Sequence, residues 1–442
     1  MTLRFGTDGV RGIANRELTP ELLVALGRAA ATVLGADRPF VVGRDTRRSG
    51  PMVEAAIVAG LASAGADVAL VGVLPTPGLA YLAAVEDSPA VVVSASHNPA
   101  TDNGVKLFAR GGRKLADEHE TMVEKRLAEM PGDLPDGAEV GRIRQLVGGA
   151  GRYVLHLADA LDGRRVGGLH VVVDTANGAA YDVAPSAIRE VGARVDVINA
   201  APDGLNINAQ CGSTSPDGLR KEVVERGADL GLALDGDADR VLAVDETGAL
   251  VDGDQLLAIL AIDRLARGAL PGSAIVATVM SNLGLRHALA GAGIGLVETP
   301  VGDRHVLAAL DEDHLVLGGE QSGHIVVTDL ATTGDGTLVG LLLLDVLARS
   351  ARPLSDLASV VQRVPQVLRN VEVSDPAGVA ADDRFLEAVG AAQSELGSAG
   401  RVVVRPSGTE PLLRVMVEGP AIDRAEDLAA RLAGAAVAAD TP

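Results

Sequence analysis

Along this chain, short β-branched apolar runs alternate with amphipathic stretches, and one such unit occurs three times. The first copy is Phe40-Val41-Val42-Gly43-Arg44-Asp45-Thr46, a helical stretch through Ala64, then Val68-Ala69-Leu70-Val71. The second is Val171-Val172-Val173-Asp174-Thr175, a helix through Val191, then Val195-Asp196-Val197-Ile198. The third is Ala274-Ile275-Val276-Ala277-Thr278, a helix through Ala290, then Ile294-Gly295-Leu296-Val297. Gly65, Gly192 and Gly291 follow the helices, where tolerance of left-handed backbone suits a stop. Nearly continuous apolar strands imply sheets covered on both faces. The pattern predicts an α/β protein with three similar domains built on mixed sheets.

The C-terminal part reads differently. Asn370–Val373, Gly400–Arg405 and Leu412–Glu418 have strand character, and Ala421–Ala439 is an Ala-rich amphipathic helix. This predicts a smaller α+β domain. Boundaries fall in Gly-, Pro- or charge-rich segments, giving domains 1–155, 156–254, 255–366 and 367–442.

With 442 residues, 47% of them hydrophobic, the chain can bury several cores. Aromatic residues make up 2% and Trp is absent, so platforms for stacking bases are lacking. A net charge of −20 argues against nucleic acid or an anionic membrane as partner. An anionic substrate would need cations gathered locally, and the loops below carry them at Arg11, Arg44, Lys106, Arg240, Arg304, Arg405 and Arg414. The single Cys211 excludes an internal disulfide and fits a reducing compartment, where it would fill a small buried space. The first residues form no apolar signal region, and the most apolar stretch, 338–348, is broken by Asp345 and too short for a bilayer. The expectation is a cytoplasmic protein.

Candidate chemistry lies in five segments. Ser94-Ala95-Ser96-His97-Asn98-Pro99, followed by Asp102-Asn103-Gly104-Val105-Lys106, comes just after the buried run Ala90-Val91-Val92-Val93. A serine at such a strand-to-loop corner can present its hydroxyl to a ligand. Asp235-Gly236-Asp237-Ala238-Asp239-Arg240 places three carboxylates at alternating positions. Two like charges at ~4 Å repel by about 4 kcal/mol at an effective dielectric of 20, and a hard ion, Mg²⁺ or Ca²⁺, relieves that repulsion. An EF-hand does not fit, because Arg240 occupies the position that needs glycine and the flanks read as strands. A solvated acidic hairpin is the plain alternative.

Gly318-Gly319-Glu320-Gln321-Ser322-Gly323-His324 combines an acceptor, Glu320, with a donor or acceptor, Ser322, as adjacent sugar hydroxyls require; an ordinary polar turn would look similar. Arg405-Pro406-Ser407-Gly408-Thr409-Glu410-Pro411, with Arg414 beyond, lies between two strands. Hydroxyls, backbone N–H groups and an Arg fork in such a loop can cradle a phosphate. Phe5-Gly6-Thr7-Asp8-Gly9-Val10-Arg11-Gly12 reads as a Gly-punctuated loop with one cation. The sequence has no GK[ST] phosphate loop, zinc-binding His-Glu-x-x-His helix or dinucleotide fingerprint.

In this order the five segments resemble the α-D-phosphohexomutase superfamily, across essentially the whole chain. Gly319–His324, and Pro202-Asp203-Gly204-Leu205-Asn206-Ile207-Asn208 leading to Cys211-Gly212-Ser213-Thr214, resemble its members that act on glucosamine phosphates. The resemblance implies four domains around a central cleft, each sending in one loop. It also implies interconversion of glucosamine 6-phosphate and glucosamine 1-phosphate, toward UDP-N-acetylglucosamine and the cell wall. Ser96 would be active as phosphoserine, and one Mg²⁺ would be held by Asp235, Asp237, Asp239 and a phosphate oxygen on Ser96. Glu320 and Ser322 would bind the sugar; Arg405, Ser407, Gly408, Thr409 and Arg414 would bind the distal phosphate. Thr7, Arg11, Arg240, Asp303 and Arg304 would complete the site.

Glucosamine 1,6-bisphosphate would be intermediate and activator. Lys106, His324 and His97 are the candidates for proton transfer, and the sequence does not choose among them. The implied partner is a small hexosamine phosphate, with no nucleic acid and no membrane; a homodimer and a protein kinase acting on Ser96 are left open. A mutase for glucose or mannose phosphates, a non-catalytic sugar-phosphate-binding regulator and a metal-dependent phosphatase are the alternatives. A mere binder would need neither Ser96 nor the three aspartates.

Overall fold

All three repeats fold as parallel strand–helix–strand units in the computed structural model, which describes residues 5–6, 8–129, 134–407 and 411–440. Phe40–Arg44 pairs with Val68–Val73 across helix Gly50–Ser63. His170–Asp174 pairs with Arg194–Ile198 across Val183–Glu190. Ala274–Thr278 pairs with Gly295–Thr299 across Leu283–Gly291. The C-terminal domain is an antiparallel sheet of Gln366–Glu372, Leu412–Glu418 and Arg401–Pro406, packed with helices Asp383–Leu396 and Ile422–Ala439.

Each α/β sheet turns from parallel to antiparallel at the same kind of place. Ala90–Val93 lies parallel to Phe40–Arg44 and then turns directly into antiparallel Asp102–Phe108. Leu230–Leu234 does the same with Val241–Asp245, and Leu317–Gly319 with Ile325–Val327. A parallel connection needs a crossover, usually a helix, whereas an antiparallel one can be a short loop. These three loops therefore emerge at the carboxyl ends of the parallel strands, where open α/β sheets bind ligands. The C-terminal hairpin between Arg401–Pro406 and Leu412–Glu418 supplies a fourth.

Two segments read as loops are partly strand. Val10–Ile13 pairs antiparallel with Asp102–Phe108 and forms the edge of the first sheet. Asp102, Asn103 and the nearby glycines hide the strand pattern, yet Asn103 is buried with its polar atoms used. Its amide donates to Ser49 Oγ at 2.8 Å and its oxygen accepts from Gly104 N–H at 2.8 Å.

One face of the first sheet packs its own core, with Leu23, Phe40, Ile57 and Val91. The other face, through Val41, Leu82 and Phe108, joins a larger core shared by the second and third sheets. Helix Gly336–Ser350 runs through that shared core, its residues from Leu338 to Leu347 buried. Among the described residues no helix is long and apolar enough to cross a membrane.

Asp335 caps this central helix, accepting from Leu338 N–H at 2.9 Å and from the Tyr153 hydroxyl at 2.7 Å. Burial pushes its carboxyl up to about 6, against those hydrogen bonds. The folded chain therefore keeps a proton that the unfolded chain releases near pH 4. The stability tied to that proton is complete at the acid end and is lost as pH rises through about 6. At about 1.4 kcal/mol per pH unit this amounts to about 3 kcal/mol. Asp335→Asn keeps the capping oxygen and is expected to flatten the dependence of Tm on pH between pH 4 and 7; an unchanged slope would exclude a protonated Asp335.

Candidate active site

Ser96 sits just beyond strand Ala90–Val93, fully buried, with φ at +50°. Left-handed backbone costs a residue with a Cβ roughly 1–2 kcal/mol, so the surroundings must hold it there. Ser94 Oγ accepts from Ser96 N–H at 3.0 Å and donates to Asp45 at 2.6 Å. Ser96 Oγ donates to Asp235 Oδ2 at 2.7 Å and lies 3.2 Å from His97 Nδ1. The serine loop and the acidic loop, read separately in the sequence, are in contact.

Asp235, Asp237 and Asp239 each bring one carboxylate oxygen into a buried group whose members lie within 4.8 Å of one another. The Oδ1 atoms of Asp237 and Asp239 are buried without a hydrogen-bond donor. Buried charged oxygens left unpartnered are costly, and an all-oxygen set of this kind could hold a hard divalent metal ion. The resident cation is Lys106, with Nζ 2.9 Å from Asp237, 3.4 Å from Asp239 and 2.7 Å from Asp8. Burial opposes its charge, but Asp237, Asp8 and Asp239 outweigh that and hold Lys106 well above the ordinary lysine value. One lysine is still too little for three carboxylates. Burial and then repulsion from Asp239 and Asp237 push Asp235 well above the usual carboxylate range. Asp239 is held low against burial by Lys106, His324 and Arg240.

Gly236 and Gly323 permit the loops to meet. A Cβ on Gly236 would lie 2.5 Å from the Ser96 carbonyl oxygen. On Gly323, where φ is +90°, it would lie 2.1 Å from the Val241 carbonyl oxygen. Val241 N–H donates to Gly323 O at 3.1 Å, tying the third loop to the strand that leaves the acidic loop.

The loops open on a cleft of about 800 Å³, lined by Arg11, His97, Asp239, Arg240, Glu320 and His324 among others. That volume suits a small polar ligand. Burial, then Arg240 and Arg11, push the His97 imidazole down to about 4, so it is neutral at physiological pH. His324 is buried with neither ring nitrogen hydrogen-bonded, and its Nε2 lies 3.7 Å from Asp303. Asp303 pairs with Lys114, whose Nζ also reaches Asp8 at 2.7 Å. Arg304 is tied to Asp117 and Glu120 of the first domain. Glu320 accepts from Gly302 N–H at 3.1 Å, and Ser322 is exposed.

Arg405 and Arg414 oppose each other across the C-terminal hairpin. Burial and then Arg414 push the Arg405 guanidinium down, with Glu320 opposing. Like charges directly opposite destabilise a ladder, and a bound anion relieves them. Glu320 opposes the burial of both Arg405 and Arg240, favouring the charge of each.

Thr7, Gly408 and Thr409 lie outside the described residues. Arg44, grouped with the local cations, pairs instead with Glu54 at 3.3 Å. Asp8, Lys114 and Thr76, which donates to Asp237, received no role from the sequence. Lone polar residues carry no spacing signal, and Asp8 was masked by its glycine-rich setting.

The chain belongs to the phosphoglucomutase/phosphomannomutase family. Its alpha/beta/alpha domains I, II and III match residues 2–131, 151–248 and 252–364, and its C-terminal domain matches 368–435. Within that family, the phosphoglucosamine mutase of Streptomyces avermitilis is 54% identical over 443 residues, covering 98% of each chain. The phosphoglucosamine mutase of Rhodococcus opacus is 55% identical over 437 residues, covering 97% of this chain and 98% of its own. A crystal structure of a family protein from Burkholderia thailandensis matches with a TM-score of 0.85 at 26% identity, covering 98% of this chain and 97% of that one. The fold is also that of Aspergillus fumigatus N-acetylphosphoglucosamine mutase, solved with GlcNAc-6P and magnesium. That match has a TM-score of 0.71 at 21% identity and covers 100% of this chain and 96% of the other.

Gly236→Ala is expected to push the acidic loop off the Ser96 carbonyl and weaken Mg²⁺ binding by about tenfold or more, measured by titration calorimetry. Unchanged affinity would show that this close approach does not set the loop.

Proposed function

We infer that this chain interconverts glucosamine 6-phosphate and glucosamine 1-phosphate, a phosphoglucosamine mutase reaction carried out in the cytoplasm. The observation that carries the reading is the 2.7 Å contact of Ser96 Oγ with a buried carboxylate triad, in a chain 53–55% identical to phosphoglucosamine mutases over nearly its full length. On this reading residues 1–155 carry the serine, 156–254 the metal loop, 255–366 the sugar loop and 367–442 the phosphate grip.

Ser96 is the phosphoryl carrier. Its P–Oγ bond breaks as the free hydroxyl oxygen of the bound sugar phosphate forms a new P–O bond. The hydroxyl proton passes to a base, and Ser96 Oγ recovers a proton. Asp235, Asp237, Asp239 and an oxygen of phosphoserine would hold Mg²⁺, which supplies neutralisation of charge during the transfer. Lys106 donates to Asp8 and Asp237, so it has no lone pair with which to accept a proton in this arrangement. His324, lining the cleft with neither ring nitrogen hydrogen-bonded, is the better acceptor. Neutral His97 stays a hydrogen-bond partner of Ser96.

The product, glucosamine 1,6-bisphosphate, must turn over and return its other phosphate to Ser96. Arg405 and Arg414, with Ser407, Gly408 and Thr409, grip whichever phosphate is distal. Glu320 and Ser322 hold hydroxyls in either orientation, while Arg11 and Arg240 steady the transferring group. Arg304 braces the rim through Asp117 and Glu120.

Ser96→Ala is expected to lower turnover by at least ~10³-fold and to remove the phosphoserine mass increment; retained turnover would exclude the assignment. In kcat/KM the protein should prefer glucosamine 1-phosphate to glucose 1-phosphate and mannose 1-phosphate, and the reverse order would make it a hexose mutase. Arg405→Ala removes a charge-assisted bond of roughly 1.5–3 kcal/mol, so KM should rise about 10- to 100-fold while Ser96 keeps its phosphate.

A further inference from the structure

The carbonyl oxygens of Ser96 and Asn98 are each held by two donors, one from the first domain and one from the second. Arg47 is fully buried, its Nε on Asp45 at 2.8 Å. Its Nη2 donates to Ser96 O and Asn98 O, both at 2.9 Å, and its Nη1 donates to Asp102 O at 3.0 Å and to Pro99 O. Asn208 Nδ2 donates to the same two carbonyls, at 2.9 Å for Ser96 and 3.1 Å for Asn98. The other amide atom of Asn208, Oδ1, is buried with no donor. What this side chain contributes is its NH₂ group alone.

Asn208 lies on the excursion that follows strand Arg194–Ile198. Its own backbone is left-handed, with φ at +58°, and its N–H donates to Ala176 O at 2.9 Å. The excursion is also anchored on the turn that bears Arg47, where Arg48 N–H donates to Gly204 O at 2.8 Å; the same turn reaches the loop after strand His170–Asp174, with Thr46 Oγ1 donating to Asn177 O at 2.5 Å. Arg47 already gives each carbonyl one donor. A second donor from another domain adds direction, because two donors on one oxygen fix the tilt of its peptide plane. The planes so fixed are the Ser96–His97 and Asn98–Pro99 peptides. The first, through Ser96 ψ, sets where the Cα–Cβ bond of Ser96 points and hence where Oγ lies relative to Asp235, and the second holds the loop that follows.

We propose that Asn208 is a positioning residue, whose amide pins the Ser96 and Asn98 carbonyls so that the left-handed Ser96 aims its oxygen at the Asp235–Asp239 loop. The grip stands on geometry, and its effect on turnover rests on the mutase reading above. It gives a physical role to the Pro202–Asn208 run, which the sequence marked only by resemblance. A misplacement of about 1 Å between reacting groups can cost about a hundredfold in rate.

Asn208→Gly deletes the amide and leaves the left-handed backbone unstrained. Asn208→Asp keeps shape and replaces both donors by an acceptor. The expected result is a kcat about a hundredfold lower in the glycine variant and lower still in the aspartate variant, with KM for the sugar phosphate within about twofold, since neither the sugar loop nor the phosphate grip is touched. Amide exchange over residues 96–98 should speed up in both unphosphorylated variants. A kcat within twofold of the parent for Asn208→Gly would overturn the proposal. So would a joint change in kcat, KM and Tm, which marks a merely structural role. If the parent protein turns over no hexosamine phosphate, the mutase reading fails, and exchange alone decides the grip: unchanged protection over 96–98 in Asn208→Gly rejects it.

Discussion

Three carboxylates buried within 4.8 Å of one another demand positive charge, and the interior of this protein is arranged around that demand. At ~4 Å each pair repels by about 4 kcal/mol at an effective dielectric of 20. Lys106 answers part of it, and a line of alternating charge continues outward through Asp8 and Lys114 to Asp303. That line starts in the second domain, crosses the first and ends in the third, so the electrostatics of the triad also join the walls of the cleft. Arg11, Arg240 and the Arg405–Arg414 pair are held against specific carboxylates or each other, not spread over the surface.

Topology delivers the groups to one place. Each α/β sheet ends its parallel run with a strand that turns straight back, and the turn is the functional loop: 94–101, 235–240 and 320–324. Because a hairpin needs no crossover helix, these loops are free to pack against those of the other domains. They are covered by one another, at contacts so close that only glycine fits at Gly236 and Gly323. The shared core around helix Gly336–Ser350 then keeps the sheets in fixed relation.

Much of this is written locally. The three strand–helix–strand units, their glycine stops and the C-terminal strands follow from apolar periodicity over windows of a few residues, and the structure places them within a few residues of the expected ends. The triad was legible because its three aspartates are two residues apart. The Val10–Ile13 and Asp102–Phe108 pair was not, because its polar and glycine residues break the alternation while their hydrogen bonds are met inside the fold. Arg47 and Asn208 carry no periodic or spacing signal: what matters is that both reach the same two carbonyls, and nothing near either residue in the chain records that.

The order of residues alone thus establishes the α/β class, the number of repeated units and the loops that bear chemistry, since each depends on side chains close together in the chain. Which loops touch, which lysine pairs with the triad, which imidazole lacks a hydrogen bond and what holds Ser96 in its left-handed state belong to the folded molecule. Those facts are distances between groups far apart in the chain, from the 49 residues between Arg47 and Ser96 to the 139 between Ser96 and Asp235. Burial sets their energies, and neither distance nor burial exists until the sheets have packed.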